Sequence, residues 1–250
     1  LGAADVAVLA ATGIATVTVY RRPVVALFAS GNEVQPLGQP LGPGEVYDAN
    51  RYGLAALLSQ AGCEVQPWGI VPDDRPQLQA VLTQTLTADA VVSTGGTAVG
   101  DSDWVAAVLA DLGATIEVQS IAIKPGKPLI FATFAHYPAL YFGVPGNPVS
   151  ALVSGWRFLQ PVLRQLAGET DSPKPWRCPT RNRLPGAGGR ENNVWGTLVW
   201  EAGKPWFQSA SGVHNSGNIW SMGGVTALAV VPPHTEAIAP GEEVWVWAGL

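Results

Sequence analysis

Three short stretches of the chain carry residues whose types and spacing suit the handling of an anion. In "IKPGKP", Lys124 and Lys127 flank a Pro-Gly pair that fixes both stems, so the two cations can grip a tetrahedral oxyanion from one side. On a plain surface turn the same pair would be two solvated lysines. "VPGNPVS" has a similar build: Pro145, Gly146 and Asn147 form a rigid turn into a helix whose first amides and Ser150 hydroxyl can receive an anion. "STGGTAVGDSD", residues 93–103, places Gly95, Gly96, Thr97 and Gly100 between an apolar run and a helix. Backbone N–H groups can there approach a phosphate with no Cβ in the way, although an ordinary structural turn has the same composition. Asp101 and Asp103 put negative charge in that turn. A divalent cation between them and a phosphate resolves the conflict, whereas each acid taken alone reads as a cap on the helix of Trp104.

Other reactive residue types lack the required spacing. His136, His214 and His234 show no ligand pattern and read as surface or turn residues. Ser30 in "ASGNE" lacks the nucleophile elbow. Cys63 and Cys178 form no CxxC motif, which leaves two reduced thiols.

These loops need a scaffold, and the pattern supplies one. "PVVALFAS", "CEVQPWGIV" and "DAVVST" read as short buried strands. "NRYGLAALLSQAG" places Leu54, Leu57, Leu58 and Ala61 on one helical face, closed by Gly62. Asp74 caps a second helix with Leu78, Val81 and Leu82 inward, and a third carries Trp104, Val105, Val108, Leu109 and Leu112. "KPLIFAT" and "ALYFGV" extend the sheet, and residues 148–168 read as a closing helix with Pro148 at its start and a kink at Pro161. The fold class is therefore α/β, a three-layer, mostly parallel sheet over about 23–168. In such a sheet the loops leaving the carboxyl ends of the strands converge on a ligand crevice, and the "SGNE", "VPDD", "STGG" and "VPGNP" loops all lie there.

Past Gly168, "ETDSPKPWRCPTR" suits a linker, and four alternating segments within 178–250 predict a small C-terminal β-domain packed by several of the ten tryptophans. Residues 1–22 read as a short helix ending at Gly13 and a strand-like "ATVTVY". They fit the remnant of a preceding domain whose upstream sequence is missing. This opening carries Asp5 and is broken by Gly13, which argues against a membrane segment and predicts a cytoplasmic protein. The 250 residues are 47% hydrophobic with a net charge of −5 and no basic block, a composition that excludes broad attraction to nucleic acid or acidic membranes. An anionic ligand would need locally placed cations.

The order of these motifs resembles the molybdopterin molybdenumtransferases, the MoeA type related to the gephyrin E domain. The likeness is strong over 1–168 and looser over 178–250. It implies a molybdopterin-binding α/β domain, a preceding linker domain, a homodimer, and the insertion of molybdate into adenylylated molybdopterin with Mg2+ and release of AMP. By motif, Lys124, Lys127, Ser150 and Ser216 of "HNSGN" resemble molybdate contacts, and Asp103 resembles an active-site acid near metal and phosphate. Asp48 and Asn50 of "YDAN" and Asp73 belong to the same crevice, with Asp73, Asp101 and Asp103 as the implied metal positions. Asn32 stands where the family has an acid, Ala98 where it has a hydroxyl, and Trp195 near the place of an arginine. A catalytically weakened molybdopterin-binding or scaffold homologue is therefore the alternative. A CinA-like nucleotide pyrophosphatase is a further rival, against which the β-domain speaks.

Overall fold

The computed structural model describes residues 1–96, 104–170, 174–212 and 214–249. Its helices are α1 (Ala3–Ala11), α2 (Asn50–Gln60), α3 (Arg75–Thr85), α4 (Trp104–Asp111), α5 (Pro148–Ser154) and α6 (Gln160–Leu166). Up to residue 144 the strands are β1 (Val24–Ser30), β2 (Val34–Gln35), β3 (Val46–Tyr47), β4 (Glu64–Val71), β5 (Ala90–Thr94), β6 (Ala114–Ser120), β7 (Ile123–Lys124), β8 (Pro128–Phe134) and β9 (Leu140–Val144).

Six of these strands form a sheet in the order β4-β1-β5-β9-β8-β6. The first four run parallel, and β8 runs against both of its neighbours. The alternation within β1 shows why the sheet is covered twice. Val25 and Leu27 pack with Leu54, Leu57 and Leu58 of α2 on one face, while Ala26 and Phe28 pack with Leu78 and Leu82 of α3 and Val105 and Val108 of α4 on the other. The three-layer, mostly parallel sheet expected from sequence is therefore present. Asp74 caps α3 as expected, accepting from the Gln77 amide at 3.1 Å. Strand β6 follows its helix so closely, with half-buried alternation, that it gave no separate signal.

The kink expected at Pro161 takes the form of a π-helical turn, Gly155–Leu159, between α5 and α6. Proline lacks an N–H for the ladder and clashes with the preceding turn, so the helix widens just before it. "ATVTVY" is not a strand. The alternation is there but no neighbour supplies a ladder, and the stretch runs as unpaired chain to Arg21, which donates to Asp89 at 2.5 Å. That hydrogen bond from Arg21 is the main reason the Asp89 carboxyl is held below its usual range. None of the residues of α1 is buried. Among the described residues no helix is long and apolar enough to cross a membrane.

From residue 176 the strands are β10 (Trp176–Pro179), β11 (Leu184–Pro185), β12 (Glu191–Glu201), β13 (Lys204–Ser209), β14 (Ala227–Val231), β15 (Ala237–Ile238) and β16 (Glu243–Ala248). They give an antiparallel sheet in the order β10-β16-β14-β12-β13 and a small β11-β15 pair. β10 occupies part of the stretch read as linker, because Cys178 faces inward against Val244 and Phe207. The tryptophans do not fill this core, which is built from Leu184, Val194, Phe207, Ala229 and Val246. Trp200 and Trp220 are 67% and 91% exposed, and Trp195 is the one buried tryptophan. Both cysteines are free and buried; burial pushes Cys63 up to about 11 and also raises Cys178, so both are protonated and inert at neutral pH.

The sheets are joined at β7 and at α5. β7 pairs in parallel with β12, Lys124 opposite Asn192, and Val149 and Val153 of α5 pack against Trp195, Met222 and Leu228.

Candidate functional site: a cationic cavity between the two sheets

The join encloses a cavity of about 520 Å3. On one side lies the "KPGKP" turn. Pro125 and Gly126 are buried while both lysines are exposed, and the Ile121 amide donates to the Lys127 carbonyl at 2.9 Å to close the turn. Gly126 has φ +106°, and a Cβ there would meet Ser154 Oγ at 3.0 Å and Ile123 Cδ1 at 3.1 Å. Only glycine lets the turn lie this close to α5. The Lys124–Pro125 peptide is cis. The buried middle of the turn thus presents Lys124 and Lys127 to the cavity, which Asn147 and Ser150 also line.

The opening amides of α5, expected to be free for an anion, are partly engaged: the Val149 N–H donates to the Ser216 carbonyl at 3.1 Å. That bond brings Ser216 into the same cavity as Lys124, Lys127, Asn147 and Ser150. Five of the positions singled out from sequence therefore converge, although 92 residues of chain separate Lys124 from Ser216.

Of the opposite wall the sequence singles out only Trp195, as a departure from the family pattern. That wall contains Arg183, Arg190, Asn192, Asn193, Trp195 and His214. The Asn192 amide donates to the Pro185 carbonyl at 2.7 Å, tying β11 to β12. Arg157, from the π-helical turn, reaches across the join to Glu191 at 2.9 Å and to the Asn193 side chain, with its guanidinium 5.3 Å from the Trp247 ring centroid. Trp195 spends its one N–H on Ser221 Oγ at 3.0 Å and stacks on His214 with centroids 4.3 Å apart. His214 is therefore part of the cavity wall rather than a surface residue, whereas His136 and His234 are exposed as expected. Its Nε2 lies 2.8 Å from the Ala210 carbonyl, which can only accept, so Nε2 carries a proton. Nδ1 is buried without a partner.

Four cations, Lys124, Lys127, Arg183 and Arg190, thus line one concavity, and no aspartate or glutamate does so among the described residues. In a chain of net charge −5 this is a local reversal of sign. A concave wall of one sign concentrates the opposite charge, so the arrangement suits an anionic ligand.

The remaining sequence-derived positions cluster around the carboxyl ends of β1, β4, β5 and β9. Gly95, at φ +88°, lies so close to β1 that a Cβ would sit 2.1 Å from the Ser30 carbonyl, and a Cβ on Gly146 would lie 3.5 Å from Gly95 Cα. Gly96 follows, also with positive φ. Asn50 bridges Thr94 Oγ1 at 2.8 Å and the Gly146 carbonyl at 2.7 Å, which ties the Pro145–Gly146 turn to the tip of β5. Ser30 donates to Asp73 at 2.6 Å, and the Asp73 amide donates to Asn32 Oδ1 at 3.1 Å. Asp48, 2% exposed, accepts from the Arg51 amide at 3.0 Å and its guanidinium at 2.7 Å. Thr97, Ala98, Gly100, Asp101 and Asp103 lie outside the described residues. Of the three implied metal positions only Asp73 is described, and among the described residues no group of three His, Cys, Asp or Glu could hold a metal ion.

Residues 26–165 match the family model described as a probable molybdopterin binding domain, and residues 177–248 match the MoeA C-terminal region, domain IV. Over 250 residues, 98% of this chain, the sequence is 44% identical to a molybdopterin molybdenumtransferase of Nostoc sp., of which it covers 57%. A Haemophilus influenzae protein of the same name is 39% identical over 172 residues, covering 68% of this chain and 41% of the relative. The structure is similar to a molybdopterin biosynthesis MoeA protein from Pyrococcus horikoshii, with a TM-score of 0.82 and 29% identity over 100% of this chain and 60% of the other. The chain therefore spans little more than half the length of these relatives at most.

Proposed function

Because this chain belongs to the molybdopterin molybdenumtransferase family, we propose that its cavity holds molybdate for insertion into adenylylated molybdopterin, with release of AMP. The observation that carries this reading is the convergence of Lys124, Lys127, Ser150 and Ser216 on a single cationic cavity. Lys124 and Lys127 supply charge-assisted hydrogen bonds to the oxyanion, and the Ser150 and Ser216 hydroxyls orient it from the α5 side. The turn that carries the lysines is fixed by a buried Pro-Gly pair, so the donors are arranged before the ligand arrives. Catalysis is then positioning and electrostatic stabilisation of charge that develops as the adenylyl-phosphate link breaks.

The crevice bounded by Gly95, Gly96, Asn50, Pro145 and Gly146 adjoins the cavity through the shared turn before α5 and belongs to the pterin side of this reading, with Asp48 acting through Arg51 as a positioning residue. Thr97 and Gly100 are assigned to the same pterin side by motif. Magnesium at Asp73, Asp101 and Asp103, with Asp103 as the active-site acid, is also part of the proposal. The described donors do not complete a metal set, so no step is routed through it. The whole protein is proposed to act as a cytoplasmic homodimer. Molybdate-dependent AMP release from adenylylated molybdopterin tests the reading, and its absence in a protein that binds both substrates would overturn it in favour of binding alone. One observation favours that second reading: Trp195 has one N–H, already committed to Ser221, so the position offers the cavity no donor.

A further inference from the structure

We propose that Arg183 and Arg190 form a second anion subsite in this cavity, one that takes a phosphate-class group separately from the oxyanion held by Lys124 and Lys127. The inference deepens the reading above and rests on it for the lysine side.

The first argument is size. At about 520 Å3 the cavity falls among those that enclose a whole organic ligand, roughly 300–1,000 Å3. A five-heavy-atom oxyanion displaces only on the order of two or three waters, at about 30 Å3 each. Most of the space remains to be filled.

The second argument is charge. Four cations share the wall, and the described lining carries no acid to offset them. A single oxyanion between the lysines leaves the arginines without a counter-charge. Arg183 reaches only Glu236, at 4.0 Å and with the glutamate side chain 98% exposed, a contact that water screens almost fully. Arg190 makes no ion pair among the described residues.

The third argument is placement. Arg183 directly precedes β11, and Arg190 directly precedes β12 on a turn closed by its own amide to the Ala187 carbonyl at 3.3 Å. The Asn192-to-Pro185 bond stitches those two strands together, so both guanidinium groups project from a fixed frame. The lysines come from the other sheet's connections. A planar fork of donors matches phosphate oxygens in pairs, whereas the lysine ammonium is a point charge.

The probes are molybdate and inorganic phosphate, followed by titration calorimetry on the whole chain. The expected result is a double dissociation. In protein saturated with molybdate, R183A/R190A should lower phosphate affinity about tenfold or more and leave molybdate affinity within about threefold, while K124A/K127A should do the reverse. R183K/R190K should recover part of the phosphate affinity, because charge is kept and the fork lost. Both arginine side chains are largely solvent-exposed, so these variants should unfold at the wild-type denaturant midpoint. Strict one-for-one competition between the two anions in the wild type, or equal loss of both anions in both double variants, would show a single site and overturn the proposal. Phosphate binding that depends on the arginines, in a wild type that binds no molybdate, would support the subsite and sink the lysine reading instead.

Discussion

The network at the carboxyl ends of the parallel strands and the inter-sheet cavity are both built from polar groups, but only in the cavity are charges left unpaired. At the crevice the polar groups answer one another: Ser30 binds Asp73, the Asp73 amide binds Asn32, Asn50 binds Thr94 and Gly146, and Asp48 binds Arg51. In the cavity Lys124 and Lys127 face Arg183 and Arg190 with no described acid between them. A paired polar group contributes to stability, and its removal strands its partner. An unpaired cation contributes little to the fold and much to a ligand. The same residue types should therefore give stability phenotypes in one region and binding phenotypes in the other.

Asp48 offers the largest expected effect. Its side chain is 1% exposed and that of Arg51 16%, so Asp48→Ala leaves a nearly buried guanidinium unpaired. Breaking such a pair from one side costs about 3–5 kcal/mol. Urea unfolding should show that loss in the midpoint at unchanged slope, and Asp48→Asn, which keeps an acceptor for the Arg51 amide, should lose less. A neutral result for both would mean the crevice network is not structural and the contrast between the regions fails.

Arg157 lies at the junction and should show both phenotypes. Arg157→Ala removes charged hydrogen bonds to Glu191 and Asn193, worth about 1.5–3 kcal/mol of stability. Because Asn193 also lines the cavity, anion affinity should fall as well, and a double-mutant cycle with Glu191→Ala should show coupling. Additive effects would mean that the clamp does not bridge the sheets. Lys124→Ala and Lys127→Ala should each weaken molybdate binding by about 1.5–3 kcal/mol, roughly ten- to a hundredfold, with no change in the unfolding midpoint. Unchanged affinity in both would make them ordinary surface lysines.

The contrast also explains what was legible in the sequence. The α/β layers follow from local periodicity: Leu54, Leu57 and Leu58 mark one face, Leu78 and Leu82 the other, and Asp74 a cap. The lysine turn was readable because its chemistry and its rigidity lie within six consecutive residues. Arg183, Arg190 and His214 become neighbours of that turn through long-range contacts, the parallel pairing of β7 with β12, two residues long and about 68 positions apart in sequence, and the seating of α5 against Trp195 and Ser216. No local pattern encodes such a contact. For the same reason "ATVTVY" reads as a strand, since alternation shows that a segment can pair and not whether a neighbour exists. The tryptophan expectation held on one face only: Trp195 and Trp247 pack at the junction with α5, whereas the second core is filled by aliphatic side chains, Phe207 and Cys178.

Asn32 carries the smallest expected effect and the sharpest test of where the crevice network stops. Its Oδ1 accepts from the Asp73 amide, and the Asp73 carboxylate already takes the Ser30 hydroxyl. Asn32→Asp preserves that acceptor and adds a full charge beside Asp73. Without a cation the two carboxylates repel, and the variant should be slightly less stable than the wild type. With magnesium the second carboxylate becomes a hard oxygen ligand, where the amide offered only a dipole. At exposed sites in high dielectric a close charge is worth about 1 kcal/mol, so magnesium should bind roughly fivefold tighter. Anion binding at the crevice should then depend more strongly on magnesium in the variant, because the added charge faces the phosphate unscreened when the metal is absent. Magnesium titrations with and without AMP measure both effects. An unchanged magnesium affinity would place Asn32 outside any metal site, and the acid missing at that position would then have no bearing on turnover.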